Sequence, residues 1–297
     1  MVEIDIVNSN PNGARLDRRE FFVTSIVGAG LYAAAVSPIS GQTVIHTDTN
    51  GLVVGEVDIP VSDGQIPAYR AMPDKGKKFP VVLVIHEIFG VHEWIQDVCR
   101  RFAKLGYMAI APALYSRQGD VHHLPDPPTL QTQIFGKIPD AEVNSDLDST
   151  LEWAAKNHGD TKRAAITGFC WGGRVVWMYS EHNPHLRAGA AFYGRVMSSP
   201  NSPVNPVQPT NPIDHVKDLK VPIIGFYGGL DTGIKPDQVK KMQEALNAEH
   251  KVNDITIYPD AKHGFFADYR ESYNKPAAED AWPKLLAWFK KYGASPS

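Results

Sequence analysis

The stretch that decides the fold is Ala164-Ala165-Ile166-Thr167-Gly168-Phe169-Cys170-Trp171-Gly172-Gly173-Arg174-Val175-Val176-Trp177. A small apolar run, a Gly-x-Cys-x-Gly and a helix-compatible run follow without a break, which reads as strand, tight turn and helix with sulfur at the turn. Glycine two residues before and two after the cysteine suits a sharp elbow, because strand and helix backbones approach there too closely for a Cβ. A thiol so placed stands above the sheet edge. It lies beside the unpaired N–H groups and positive dipole end of the following helix, both of which favour thiolate. The competing reading is a buried structural cysteine between two packing glycines, and partners elsewhere in the chain must decide between the two.

Outward from this stretch the chain alternates. Asp63-Gly64 between the runs 52–59 and 66–72 predicts a hairpin. Residues 80–85, apolar throughout, predict a strand buried on both faces. Helix 94–105, strand 107–111, helix 140–156, strand 163–169, helix 173–181, strands 188–193 and 221–227, helix 236–248, strand 254–258 and helix 277–292 complete the series. Such alternation predicts an α/β fold, a mostly parallel doubly wound sheet with an N-terminal hairpin. Segments 113–138 and 197–214 break the rhythm. Both leave from carboxyl ends of strands, where doubly wound sheets bind ligands, and are expected to be lids or binding loops.

A chain of 297 residues can form one large α/β domain, and a formal net charge of −3 gives no reason to expect nucleic acid as partner. Cys99 and Cys170 are the only cysteines, so neither a disulfide framework nor a cysteine-rich zinc site can be built. Cys99 falls in an amphipathic pattern and reads as core. Residues 1–45 are expected to be a leader and 46–297 the catalytic domain. Arg18-Arg19 precede Phe21-Phe22 and a run to Ile45 free of charged residues, as in a twin-arginine export signal. Gly28, Gly30 and Pro38 argue against a stable membrane span. The expected location is exported or periplasmic, or cytoplasmic if the leader does not function.

A cysteine nucleophile needs a base and a group to orient that base. Asp231 follows the strand 221–227 in Gly228-Gly229-Leu230-Asp231, and His263 follows the strand 254–258 in His263-Gly264-Phe265. Separately, His263 could be a loop histidine and Asp231 a helix cap before Pro236. Together they predict Cys170 as nucleophile, His263 as base then acid, and Asp231 as orienting group. The backbone N–H groups of Trp171 and Ile88 are the expected oxyanion donors. His86-Glu87 opens like a zinc-binding H-E-x-x-H, but Gly90 stands where the second histidine belongs and His92 is out of register. His122 and His123 read as exposed loop residues, and no metal site is expected.

Glu87-Ile88-Phe89-Gly90, Pro112-Ala113-Leu114-Tyr115-Ser116-Arg117, the cysteine elbow, Gly228 to Asp231 and His263 to Phe265, in this order, resemble the dienelactone hydrolases, or carboxymethylenebutenolidases, among the α/β-hydrolases. The resemblance covers roughly 51–292. It implies hydrolysis of a small-molecule ester or lactone through a cysteine thioester, without a cofactor. It also implies that Glu87 holds the resting thiol until substrate displaces it, and that Arg117, with Tyr115 in the same motif, binds a substrate carboxylate. The family's second carboxylate-binding arginine lies four residues after the histidine, where this chain has Ala267; Arg270 lies three further on. Two other readings stay open: an amidotransferase-like cysteine enzyme, whose acid would sit at Phe265, and a non-catalytic ligand-binding or thiol-sensing module on the same fold.

Overall fold

The computed structural model describes residues 44–121, 126–199 and 202–296. Nearly all of the expected leader, together with His122 and His123, lies outside the described residues. In chain order the elements are β1 (Leu52–Val61), β2 (Gly64–Pro73), β3 (Phe79–Ile85), α1 (Glu93–Lys104), β4 (Met108–Pro112), α2 (Pro127–Gln133), α3 (Asp140–Lys156), β5 (Gly159–Phe169), α4 (Trp171–His182), β6 (Ala188–Phe192), β7 (Ile223–Gly228), α5 (Pro236–Ala248), β8 (Asn253–Tyr258) and α6 (Lys275–Lys291). The strands form one sheet in the order β1-β2-β4-β3-β5-β6-β7-β8. Pairs β1–β2 and β2–β4 are antiparallel and the rest are parallel. This is the expected α/β fold.

Burial explains the apolar runs. Every residue of β3, β4, β6 and β7 is buried, because helices cover both faces of the central sheet. Helix α1 turns Trp94, Ile95, Val98, Cys99 and Phe102 inward at helical spacing. Cys99 is fully buried and burial pushes its thiol up, so it is the inert core residue its pattern indicated.

Two local differences from expectation have clear causes. The hairpin pairs Val61 with Gly64, leaving only Ser62 and Asp63 in the turn. The segment 113–138, read as loop, contains α2 and a short 3-10 turn at Phe135–Lys137. Pro127 and Pro128 stand in the first turn of α2, where the missing N–H is not needed, and the Asp126 side chain caps the helix by accepting from the Thr129 N–H at 2.9 Å. The two long segments are bonded to each other. Gln208 Nε2 donates to the carbonyls of Phe135 (2.7 Å) and Ile138 (2.9 Å), and Asn205 Nδ2 to that of Gly136 (2.7 Å). Phe135 in turn packs edge-on against Trp171 at 5.0 Å, so the joined segments cover one side of the elbow. No helix among the described residues is long and apolar enough to cross a membrane.

Candidate active site

Cys170 joins β5 to α4 at φ 55° and ψ −114°, a conformation that a residue with a Cβ keeps only where its surroundings impose it. The glycines around it are dictated by backbone contact. A Cβ on Gly168 would lie 2.3 Å from the Gly172 oxygen, and one on Gly172 would lie 2.4 Å from the Ile85 oxygen and 2.7 Å from that of His86. The elbow is further fixed by the Cys170 N–H, which donates to the Phe192 carbonyl at 3.0 Å.

The loops after β7 and β8 meet because Gly228 and Gly229 let them touch. A Cβ on Gly228 would lie 2.5 Å from the Ala261 oxygen and one on Gly229 2.6 Å from that of Pro259. The Gly229 and Leu230 N–H groups donate across this seam to Tyr258 (2.7 Å) and Ala261 (2.9 Å). The contact brings His263 Nδ1 to 2.7 Å from Asp231 Oδ2, while Asp231 Oδ1 accepts from the Gly233 and Ile234 N–H groups, both at 2.9 Å. Burial would raise the Asp231 carboxyl, but His263 and these N–H groups outweigh it and hold it low. On its other side His263 interacts with Cys170. Burial alone would lower the imidazole; the charge of Cys170 and the bond to Asp231 overcome it and push the value up to about 10. Phe265, where an amidotransferase-like acid would stand, is a fully buried ring.

Trp171 opens α4 and so has no intrahelical acceptor for its N–H, and the Ile88 N–H has no acceptor among the described residues. Both suit oxyanion donors. Tyr115, expected at the substrate, is instead fully buried beneath the Ile88 loop, and a Cβ on Gly90 would lie 2.8 Å from its hydroxyl. It supports the loop from below.

Glu87 is fully buried and accepts from Tyr269 Oη at 2.6 Å and from Arg270 Nη1 at 3.2 Å. Burial raises its carboxyl, and Arg270 followed by His263 opposes this. No hydrogen bond between described residues joins Glu87 to Cys170, so the implied grip on the resting thiol is replaced by a grip on Arg270. A guanidinium and a phenol satisfy a buried carboxylate better than a weak S–H donor does. Arg270 reaches it by lying over Phe89 at 5.4 Å and across Gly264, where a Cβ would come within 2.5 Å of its Nη1.

Arg117 is also corrected. Its guanidinium binds Asp146 at 2.6 and 2.9 Å and Asp63 at 2.8 to 3.2 Å, with Glu142 3.7 Å away. With its donors spent on the hairpin turn and α3, it is a structural clamp and not a free receptor for a substrate carboxylate.

Sequence reasoning missed Tyr193, which directly follows β6 at φ 38°, fully buried, its ring edge-on to His263 at 5.0 Å. The available signal was Gly194 directly after a strand end, a mark of close backbone approach. The sequence offers His86 only a metal-ligand reading. It is fully buried, stacked on Trp171 at 5.5 Å, with Tyr115 and Phe135 edge-on to it. Its Nδ1 lies 2.8 Å from the Glu87 carbonyl, which can only accept, so Nδ1 carries the proton. Burial lowers this histidine from 6.5 to about 4. A group depressed in the folded state lends stability that is present above its unfolded value and lost as pH falls through the folded one. Folding stability is therefore expected to drop by about 3 kcal/mol between pH 6.5 and pH 4 on account of His86. His86→Gln should flatten that part of the profile in urea denaturation across the window. Among the described residues a three-residue set with metal-ligand spacing, Glu181, His215 and Asp218, lies toward the end of α4 remote from Cys170.

A family model described as "Dienelactone hydrolase family" matches residues 66–293. A provisionally named carboxymethylenebutenolidase of Methylorubrum extorquens is 50% identical over 281 residues, covering 94% of each chain. One from Escherichia coli, also provisionally named, is 46% identical over 272 residues, covering 90% of this chain and 97% of its own. The crystal structure of a Klebsiella pneumoniae protein, provisionally identified as a dienelactone hydrolase, superposes with a TM-score of 0.78 at 46% identity, covering 81% of this chain and 99% of its own.

Proposed function

The chain belongs to the dienelactone hydrolase family, a family of ester and lactone hydrolases, and from that premise we propose that it cleaves a small ester or lactone through a thioester on Cys170. The observation that carries the reading is one imidazole bonded to Asp231 at 2.7 Å and acted on by the charge of a cysteine at a strained elbow.

The steps follow from the residues. Cys170 Sγ attacks the carbonyl carbon after its proton has passed to His263, and the N–H groups of Ile88 and Trp171 receive the charge that develops on oxygen. Asp231 holds His263 Nδ1–H throughout and favours the imidazolium. Cys170 is the leading influence that raises His263, so the ring keeps its proton as long as sulfur bears negative charge. Forming the S–C bond removes that charge. The imidazolium then becomes a stronger acid at the moment the C–O bond breaks, and its proton goes to the leaving oxygen. Water, deprotonated by the now neutral His263, attacks the thioester; the C–S bond breaks and the acid product leaves with the thiol restored. Glu87 and Arg270 set the field beside this pair.

Acid-quenching the enzyme during turnover of a slowly hydrolysed ester is expected to give an intact mass increased by one acyl group, located by digestion on the peptide holding Cys170. An acyl group on another residue, or a pre-steady-state burst with no covalent adduct, would overturn the mechanism.

A further inference from the structure

Arg195 lies three residues beyond the end of β6, in a stretch of backbone packed on the elbow. The Phe192 carbonyl receives the Cys170 N–H at 3.0 Å and the Tyr193 ring faces His263 at 5.0 Å. Gly194 presses so closely on α4 that a Cβ there would lie 2.1 Å from Gly173 C and 2.4 Å from Arg174 N. The next side chain, that of Arg195, is half-buried, with Arg174 and Asp140 as the charges acting on it.

Other arginines around the site are neutralised. Arg174 holds both oxygens of Asp140 at 2.6 and 2.9 Å and donates to the Thr210 carbonyl at 3.0 Å. Arg270 faces Glu87, and Arg117 is clamped by Asp63 and Asp146. Arg195 makes no hydrogen bond or ion pair with any described residue, and Asp140, the carboxylate whose charge acts on it, is spent on Arg174. Burial, and secondarily the charge of Arg174, weaken its hold on its proton. A half-buried cation without a counter-ion, next to a second cation, is costly unless something anionic joins it. None of its nitrogens is sealed in the interior, so an incoming anion has access.

A substrate whose carbonyl sits at Cys170 extends along the carboxyl ends of β5 and β6, the edge at which Arg195 stands. We propose that Arg195 is the specificity-determining residue that binds a carboxylate of the substrate, in the role the family resemblance implied for Arg117. The planar fork of guanidinium matches a carboxylate in a bidentate manner. This inference rests on the ester or lactone reading above.

The test compares two activated esters of near-equal length, the 4-nitrophenyl monoester of adipic acid and the 4-nitrophenyl ester of heptanoic acid, on the native enzyme and on Arg195→Met and Arg195→Lys. The quantity read is the ratio of kcat/KM for the acidic ester to that for the neutral one. Being a ratio within one preparation, it does not depend on how much of a variant is folded. Arg195→Met is expected to lower it about 30-fold, chiefly through KM of the acidic ester, and Arg195→Lys to lower it less. An unchanged ratio in Arg195→Met, or equal losses on both esters, would overturn the inference. The wider reading fails separately, if Cys170→Ala still hydrolyses the neutral ester.

Discussion

Cys170→Ala is expected to lower kcat on any ester or lactone substrate by at least about 10⁴-fold, leaving only what the binding site and oxyanion donors achieve without a nucleophile. Nucleophile, base and orienting acid act as a unit, so the loss of sulfur leaves His263 with no proton to take from a side chain. Cys170→Ser is a sharper comparison because it restores an attacking oxygen. It cannot restore the electrostatics: Cys170 is the principal influence that raises His263 to about 10, and an alcohol stays neutral where a thiol ionises. The serine variant should therefore remain strongly impaired, and NMR titration should show His263 falling from about 10 in both variants. The sign of the linked stability follows. A histidine raised in the folded state lends stability fully present below its unfolded value and lost as pH rises through the folded one. Native protein should thus lose stability on the approach to pH 10, and Cys170→Ala should lose less. Native-like turnover in Cys170→Ala, or an unmoved His263 titration, would remove the thiol from the chemistry.

Gly172→Ala is expected to destabilise the fold by at least about 3 kcal/mol. The added methyl would meet the Ile85 oxygen at 2.4 Å and the His86 oxygen at 2.7 Å, and both obstacles are backbone, which cannot swing aside as a side chain can. Relief requires α4 to move away from the end of β3. That motion would carry Trp171 away from Ile88 and separate the two proposed oxyanion donors, so residual folded protein should also be nearly inactive. Gly51→Ala is the control for backbone conformation alone. Gly51 has φ 72° but nothing within 4 Å of a Cβ, so only the local conformational cost of about 1 kcal/mol is expected there. Chemical denaturation of the two variants reads the difference. Comparable midpoints would show that the elbow tolerates a methyl and that the glycine answers some other need.

What could be read from the sequence alone was whatever depends on neighbours in the chain. The elbow was legible because a positive φ at Cys170 and glycines at 168 and 172 are demands of one short turn. The sheet was legible because the strands buried on both faces, β3, β4, β6 and β7, must be apolar along their whole length. Asp231 and His263 were legible in part, since Gly228-Gly229 and Gly264 mark the turns that carry them. Helix α2 was hidden by its own start signal, because prolines that open a helix look like prolines in a loop.

The partners of the charged groups were decided only by the tertiary structure. Arg117 meets Asp63 and Asp146 across 54 and 29 positions, and Arg270 meets Glu87 across 183. No local pattern encodes such pairings; they follow from which turns the strand order β1-β2-β4-β3-β5-β6-β7-β8 brings side by side. An arginine in a motif announces a cation, but whether that cation is free depends on the carboxylates that folding delivers to it. Coulomb attraction at about 3 Å in a partly dry site is strong enough to occupy the group fully. The sequence by itself determined the strand-elbow-helix and the order in which Cys170, Asp231 and His263 follow their strands. Only the folded chain decided that Arg117 is clamped, that Glu87 is held by Tyr269 and Arg270, and that Arg195 has no counter-ion among the described residues, because a charge is neutralised through space and not along the chain.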